Sequence, residues 1–272
     1  MIKKIVKKLI DIYLTPVLIN NSCRAYVCEK LHISFILRSI NLLKGKIDKN
    51  MCIIDVGAFE GFPGDTTPTF AEAFPDNTIY AFEPFTESYS KLVINMKKYK
   101  NVKTFNLALS DKVDKGTLYV SAESHSSSLL QNNDQALDNL KSEYSKAIHS
   151  VKKETVDILT LDEFASQSNI GMVGILKIDT QGTELSVLKG GSEVLKNTVL
   201  VVAESGNHDV YKNSTKYYEL DQYLRENGFI LYDYVPSLYE KGRLYEFDAI
   251  YVNKEFKHLV NTDETLDKVL SF

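Results

Sequence analysis

From residue 51 onward the chain alternates short apolar runs with stretches of helical period, and this alternation limits the folds open to it more than any other feature. The runs are "MCIIDV", "TIYAFE", "VKTFNLAL", "VGILKID", "TVLVVAE", "FILYDYV" and "LYEFDAIYV", each of strand length and rich in β-branched or aromatic residues. Helical spacing is predicted between them over about 69–74, 85–98, 183–195 and 216–227. Strands separated by helices pair in parallel, because a parallel neighbour is reached only through a long crossover. The last two runs differ. The short connection between them holds Pro236 and Gly242 and cannot carry a helix, so an antiparallel hairpin is predicted there. The predicted fold class is therefore α/β: seven strands, mostly parallel, with helices on both faces and an antiparallel final strand. Two stretches stand outside this series. "GTLYVS" (116–121) reads as a short extra strand, and the polar "SAESHSSSLLQNNDQ" reads as a loop serving as a lid.

Charge sets residues 1–50 apart from the rest. They hold ten Lys and Arg against Asp11, Glu29 and Asp48, while the whole chain carries −4, so the remainder is strongly acidic. An acidic body is a poor partner for nucleic acid, and none is expected. "MIKKIVKKLIDIYL" places Ile2, Ile5, Val6, Leu9 and Tyr13 at helical spacing, with Lys3, Lys4, Lys7 and Lys8 largely to the other side. Such a helix either packs on its own domain or gives residues 1–14 a contact with an anionic membrane surface or a partner. Asp11 interrupts the apolar run and no small-residue cleavage site follows. No signal peptide or membrane span is read, and a cytoplasmic protein is expected, with peripheral contact at the inner membrane face as the extension of that reading. Further helices are predicted over 22–44 and 256–272. Cys23, Cys28 and Cys52 are an odd number without CxxC spacing, which argues against a disulfide framework or a zinc site and for a reducing compartment. The expected division is a basic helical segment, 1–50, and an α/β domain, 51–272.

Within that domain, "ILKIDTQGTELSVLKGG" places charges at the end of a buried run. Lys177 and Asp179 share one strand face, and Gln181, Gly182 and Glu184 follow at once. Buried charges are paired or used. In an open parallel sheet ligands bind at the carboxyl ends of strands near the switch point, where the first run ends in "DVGAFEG" and the second in "YAFEP". Gly57 lets the backbone turn and lie close to a ligand, and Glu83 is an acid placed to accept bonds from the two hydroxyls of a ribose. A dinucleotide site would show the same acid. It would also show bare backbone for a pyrophosphate, and Ala58, Phe59 and Glu60 stand there instead. An NAD-dependent oxidoreductase and a cofactor-binding module without turnover remain the competing readings.

"DVGAFEG", "YAFEP", "NLALSD" and "LKIDTQGTELSVLKGG", in that order and spacing, resemble the FkbM-type family of S-adenosylmethionine-dependent O-methyltransferases over about residues 50–252. The resemblance implies a class I, Rossmann-like methyltransferase fold that binds S-adenosyl-L-methionine at the carboxyl ends of its first strands. It places Asp55, Gly57 and Ala58 near the methionine portion, Glu83 and Pro84 at the ribose, Ala108 and Leu109 beside adenine, and counts Asp179 among the cofactor-binding residues as well. Phe59 stands where the family usually has Asn. The implied acceptor is a small molecule or glycan, most naturally a sugar hydroxyl in a bacterial surface glycan or secondary metabolite. Methyl transfer needs alignment, a dry site and a group to take the acceptor's proton. Asp179 at the methyl-facing strand end, Glu204 after "VVA" and His208 beyond it are the catalytic candidates, with His125 of the lid behind them. Lys177 is expected to pair with Asp55 across neighbouring strands and Glu184 to cap its own helix. No metal is assigned, although Asp179 and Glu204, ending adjacent strands, offer a divalent cation two hard ligands.

Overall fold

The computed structural model describes residues 35–140, 143–206, 208–240 and 242–261. The helix expected over 1–14 lies outside those residues. So do the first part of the 22–44 helix, whose described portion is helical over 35–43, and most of the 256–272 helix, of which a short 3-10 turn, Lys254–Leu259, is described. Among the described residues there are ten strands: β1 (Cys52–Val56), β2 (Ile79–Phe82), β3 (Val102–Phe105), β4 (Ala108–Ser110), β5 (Asp114–Ser121), β6 (Ser150–Thr160), β7 (Val173–Ile178), β8 (Thr198–Gly206), β9 (Phe229–Glu240) and β10 (Arg243–Asn253). Seven of them make one sheet in the order β3-β2-β1-β7-β8-β10-β9. Its first five strands pair in parallel, whereas β10 runs antiparallel to both β8 and β9. The hairpin closing the sheet is thus the one expected from its short connection.

Adjacent residues of the central strands point to opposite faces and both faces are covered, which is why these strands read as continuous apolar runs. Ile54, Leu176 and Val201 enter a core shared with Leu161, Leu188, Leu220 and Leu224. Ile53, Ile175 and Val202 enter another, shared with Phe70 of the helix Thr66–Ala73 and with Phe35, Ile36 and Leu43. The helical residues 35–43 are therefore packed on the sheet.

Two expectations need correction. "VKTFNLAL" is not one strand: β3 stops at Phe105, and Ala108–Ser110 leaves the main sheet to form a three-stranded sheet, order β4-β6-β5. The break is made by Asn106, whose Nδ2 donates to the carbonyls of Glu83 and Pro84 at 2.9 Å each and draws the chain across the end of β2. The helix predicted over 183–195 is two short helices, Glu184–Lys189 and Ser192–Lys196. Gly190 lies between them, and a Cβ there would stand 2.0 Å from the Ser110 carbonyl oxygen, so β4 and this corner meet only because the side chain is missing. The "GTLYVS" strand is present as part of β5, whereas its long partner β6 escaped the sequence reading.

Candidate active site

The order in which strands are added reverses at β1, which has β2 on one side and β7 on the other, and a cavity of about 300 Å³ opens at the carboxyl ends of these strands. Gly57 begins the turn after β1 with φ +82°, and a Cβ on it would lie 1.8 Å from the Asp179 carbonyl oxygen. Its permissiveness therefore serves the close approach of the β1 and β7 ends. Phe59 follows at φ +52° and sets its ring edge against His125, 5.9 Å between centroids.

Glu83 closes β2. Its Oε2 accepts from the Phe59 N–H at 3.0 Å and its Oε1 from the Phe85 N–H at 2.8 Å. Burial pushes its pKa up to about 7, against the opposing effect of those two N–H groups. Each oxygen keeps a further lone pair, and the residue lines the cavity together with Pro84, Ala108 and Leu109.

Across the cavity, Lys177 is buried on β7 in register with Asp55, and its Nζ lies 3.2 Å from Asp55 Oδ1 and 3.5 Å from Asp179 Oδ2. It also donates to the Gly57 carbonyl at 3.0 Å. Burial alone would lower its pKa, but Asp55 and then Asp179 outweigh this and hold the ammonium above its ordinary value. Asp55 itself does not line the cavity: it is fully buried, and its Oδ2 accepts from Thr67 Oγ1 at 2.5 Å. The pairing of Lys177 with Asp55 is thus present, and Asp55 acts on the cavity through that lysine.

Asp179 and Glu204, at the ends of β7 and β8, both line the cavity, and one side chain joins them. The Nε2 of Gln181 donates to Asp179 Oδ1 at 3.1 Å and to Glu204 Oε2 at 2.7 Å. Burial, then repulsion from Asp179 and Glu246, pushes Glu204 well above the usual carboxylate range. Glu184 accepts at Oε1 from the N–H groups of Thr180 and Gly182, at 3.0 and 2.9 Å, so it braces the turn before its own helix. His208 stands apart from the main cavity. It lines a neighbouring space of about 20 Å³, stacks on Tyr245 at 4.5 Å and places its Nε2 3.0 Å from Glu246 Oε1. His125 does reach the main cavity, on the short 3-10 turn Ser124–Ser126 of the serine-rich stretch that covers it.

The structure thus brings Gly57, Ala58, Glu83, Pro84, Ala108, Leu109, Asp179 and Glu204 to one cavity, and leaves Asp55 and His208 outside it. Nothing in the sequence marks the task of Gln181, because its partners Glu204 and Tyr211 are remote from it along the chain. No group of three or more His, Cys, Asp or Glu able to hold a metal ion occurs among the described residues. Among the same residues no helix is long and apolar enough to cross a membrane.

The family described as the methyltransferase FkbM domain matches residues 55–231. The chain belongs to that family. Its sheet is accordingly a class I methyltransferase sheet, and the oxidoreductase alternative falls. Among curated proteins, 2-O-methyltransferase NoeI of Sinorhizobium fredii (strain NBRC 101917 / NGR234) is 23% identical over 162 residues, covering 59% of this chain and 65% of that one. Among solved structures, methyltransferase FkbM from Methylobacillus flagellatus KT is 12% identical with a TM-score of 0.45, covering 76% of this chain and 44% of its own. Magnesium protoporphyrin IX methyltransferase from Synechocystis PCC 6803 is 9% identical with a TM-score of 0.45, covering 85% and 79%. The match spans less than two thirds of the length of NoeI and of the Methylobacillus protein.

Proposed function

We propose that this FkbM-family methyltransferase takes its methyl group from S-adenosylmethionine and places it on a hydroxyl oxygen, with a sugar as the acceptor class. The observation that carries the reading is the opposition, in one cavity, of a ribose-type acid held by backbone N–H groups and a pair of carboxylates at the neighbouring strand ends. The residues fit the donor. Glu83 offers two spare acceptor sites, Ala108, Leu109 and Pro84 supply apolar surface for a base, and the N–H groups of Gly57, Ala58 and Phe59 are spent on the Phe82 carbonyl and on Glu83 where a pyrophosphate would need them. The oxygen specificity is supported by NoeI, whose name describes 2-O-methyl transfer.

When bound, the donor supplies a methyl group on a sulfonium, open to in-line displacement. The chain's part is to align, to exclude water and to handle one proton. Asp179 lines the cavity with the Lys177 ammonium 3.5 Å away, and it is the group assigned to take the acceptor's proton. Glu204, surrounded by acids and pushed toward its protonated form, can donate a hydrogen bond that holds a hydroxyl of the acceptor. The serine-rich roof with His125 covers the site. Incubation of the full chain with isotope-labelled S-adenosylmethionine and a panel of neutral methyl glycosides tests this: mass spectrometry should show one labelled methyl gained on oxygen. Label appearing on nitrogen or carbon of other acceptors, with none on any glycoside, would contradict it.

A further inference from the structure

We infer that Gln181 is the positioning residue of the transfer site: its single amide holds Asp179 and Glu204 at a fixed separation, and Tyr211 sets which end of that amide faces them. The inference rests on the methyl-transfer reading above for its chemistry, but not for its geometry. Gln181 sits at φ +56°, a conformation uncommon for a residue with a side chain, and this turn brings its amide back over the strand end it has just left. Both N–H bonds of Nε2 are then used on carboxylates, at 3.1 Å to Asp179 and 2.7 Å to Glu204. The other end of the amide, Oε1, accepts from the Tyr211 hydroxyl at 3.2 Å. The backbone carbonyl of Gln181 accepts from Ser128 Oγ at 2.7 Å.

The surroundings explain why such a bridge is wanted. Two acids so close repel each other whenever both are ionised, and Glu246 and Asp248 on β10 and Glu184 on the following helix add to the acidic surroundings that push Glu204 toward its protonated form, with Lys177 as the countercharge beside Asp179. An amide that donates to both acids lowers the repulsion and fixes their spacing, which water could do only loosely. Tyr211 is almost fully buried, and its hydroxyl has two acceptors for its one proton, the Ser126 carbonyl at 2.6 Å and Gln181 Oε1 at 3.2 Å. It thus ties the amide to the same roof segment that supplies Ser128 to the Gln181 carbonyl. Roof and carboxylates are joined through one side chain, and Gln181 touches the catalytic acids while acting through them.

Glutamate and aspartate side-chain carboxyl carbons, 13C-labelled in the full chain and assigned with Glu204→Gln and Asp179→Asn, allow both acids to be titrated by NMR without any acceptor. In Gln181→Met, which keeps length and removes all four hydrogen-bonding sites of the amide, the Glu204 titration should move to higher pH, because N–H donation favours the charged form and its loss favours the neutral one. Tyr211→Phe should move it in the same direction by less, and this variant serves if the first fails to fold. Single-turnover transfer to whichever glycoside the wild type methylates should fall on the order of 10²-fold in Gln181→Met, as for other losses of alignment. S-adenosylhomocysteine affinity should stay within about threefold, since Gln181 acts on the transfer half of the site. Unchanged Glu204 titration in both variants would overturn the inference. Failure of the wild type to bind S-adenosylhomocysteine would instead overturn the methyl-transfer reading and leave the titration result standing on its own.

Discussion

On the β1 and β2 side of the cavity, Glu83 is held by the main-chain N–H groups of Phe59 and Phe85, both in turns that the strands themselves generate. On the β7 and β8 side, Asp179 and Glu204 are held by side chains, Lys177 and Gln181, and Gln181 is held in turn by Ser128 and Tyr211 from other parts of the chain. A main-chain cradle survives most substitutions around it. A side-chain network fails when any one member is lost. The donor half should therefore tolerate change among its neighbours, and the transfer half should lose function through residues that touch neither substrate.

The change that would break both halves together is Gly57→Val. The added Cβ would meet the Asp179 carbonyl at 1.8 Å, in a backbone conformation that a β-branched residue resists. The expected loss of stability is about 3 kcal/mol or more, read by thermal or denaturant unfolding. A stable variant with normal donor affinity would show that the two strand ends need not meet. Next in size, Asp179→Asn should lower transfer on the order of 10²-fold, as for other general bases, while donor binding is kept. A rate equal to that of the wild type would remove Asp179 as the proton acceptor.

A smaller effect separates the halves by pH. The Glu83 pKa is raised to about 7, so the free protein is most stable with Glu83 protonated and loses stability as pH rises toward and through that value. A ligand whose hydroxyls donate to this carboxylate prefers its charged form, so S-adenosylhomocysteine should bind more tightly as pH rises through about 7. Calorimetry across that range checks the sign, and affinity falling with pH would contradict the role of Glu83. Thr67→Val removes the hydrogen bond to buried Asp55 and should cost about 1–3 kcal/mol of stability, with a normal transfer rate per folded molecule. The smallest expected effect is that of a chelator. The Gln181 N–H groups point at the two carboxylates a cation would need, so chelation should alter transfer by less than about twofold.

The sequence made the donor half legible because its parts are local. A strand ending in "DVGAFEG" and another ending in "YAFEP" carry the turn, the acid and their spacing within 33 residues, 52 to 84, and the sheet order places them side by side. The antiparallel hairpin was equally open to reading, since its short connection permits nothing else. What escaped was non-local. β6 is a strand with many charged residues, "SVKKETVDILT", whose pattern lacks an apolar run and whose identity comes from pairing with β5. Asp55 ends up away from the cavity because Thr67, from the next helix, takes one of its oxygens. Gln181 gained a task only when Tyr211 and Glu204 were brought to it, and His208 was drawn aside by Glu246 of β10.

The most direct test of the two-sided cavity is calorimetric titration of S-adenosylhomocysteine into the wild type, Glu83→Ala and Asp179→Asn. The wild type and Asp179→Asn should bind with affinities within about threefold of each other, and Glu83→Ala should lose binding on the order of tenfold or more. Equal binding by all three, or a loss in Asp179→Asn as large as that in Glu83→Ala, would contradict the division of the site into a donor half and a transfer half.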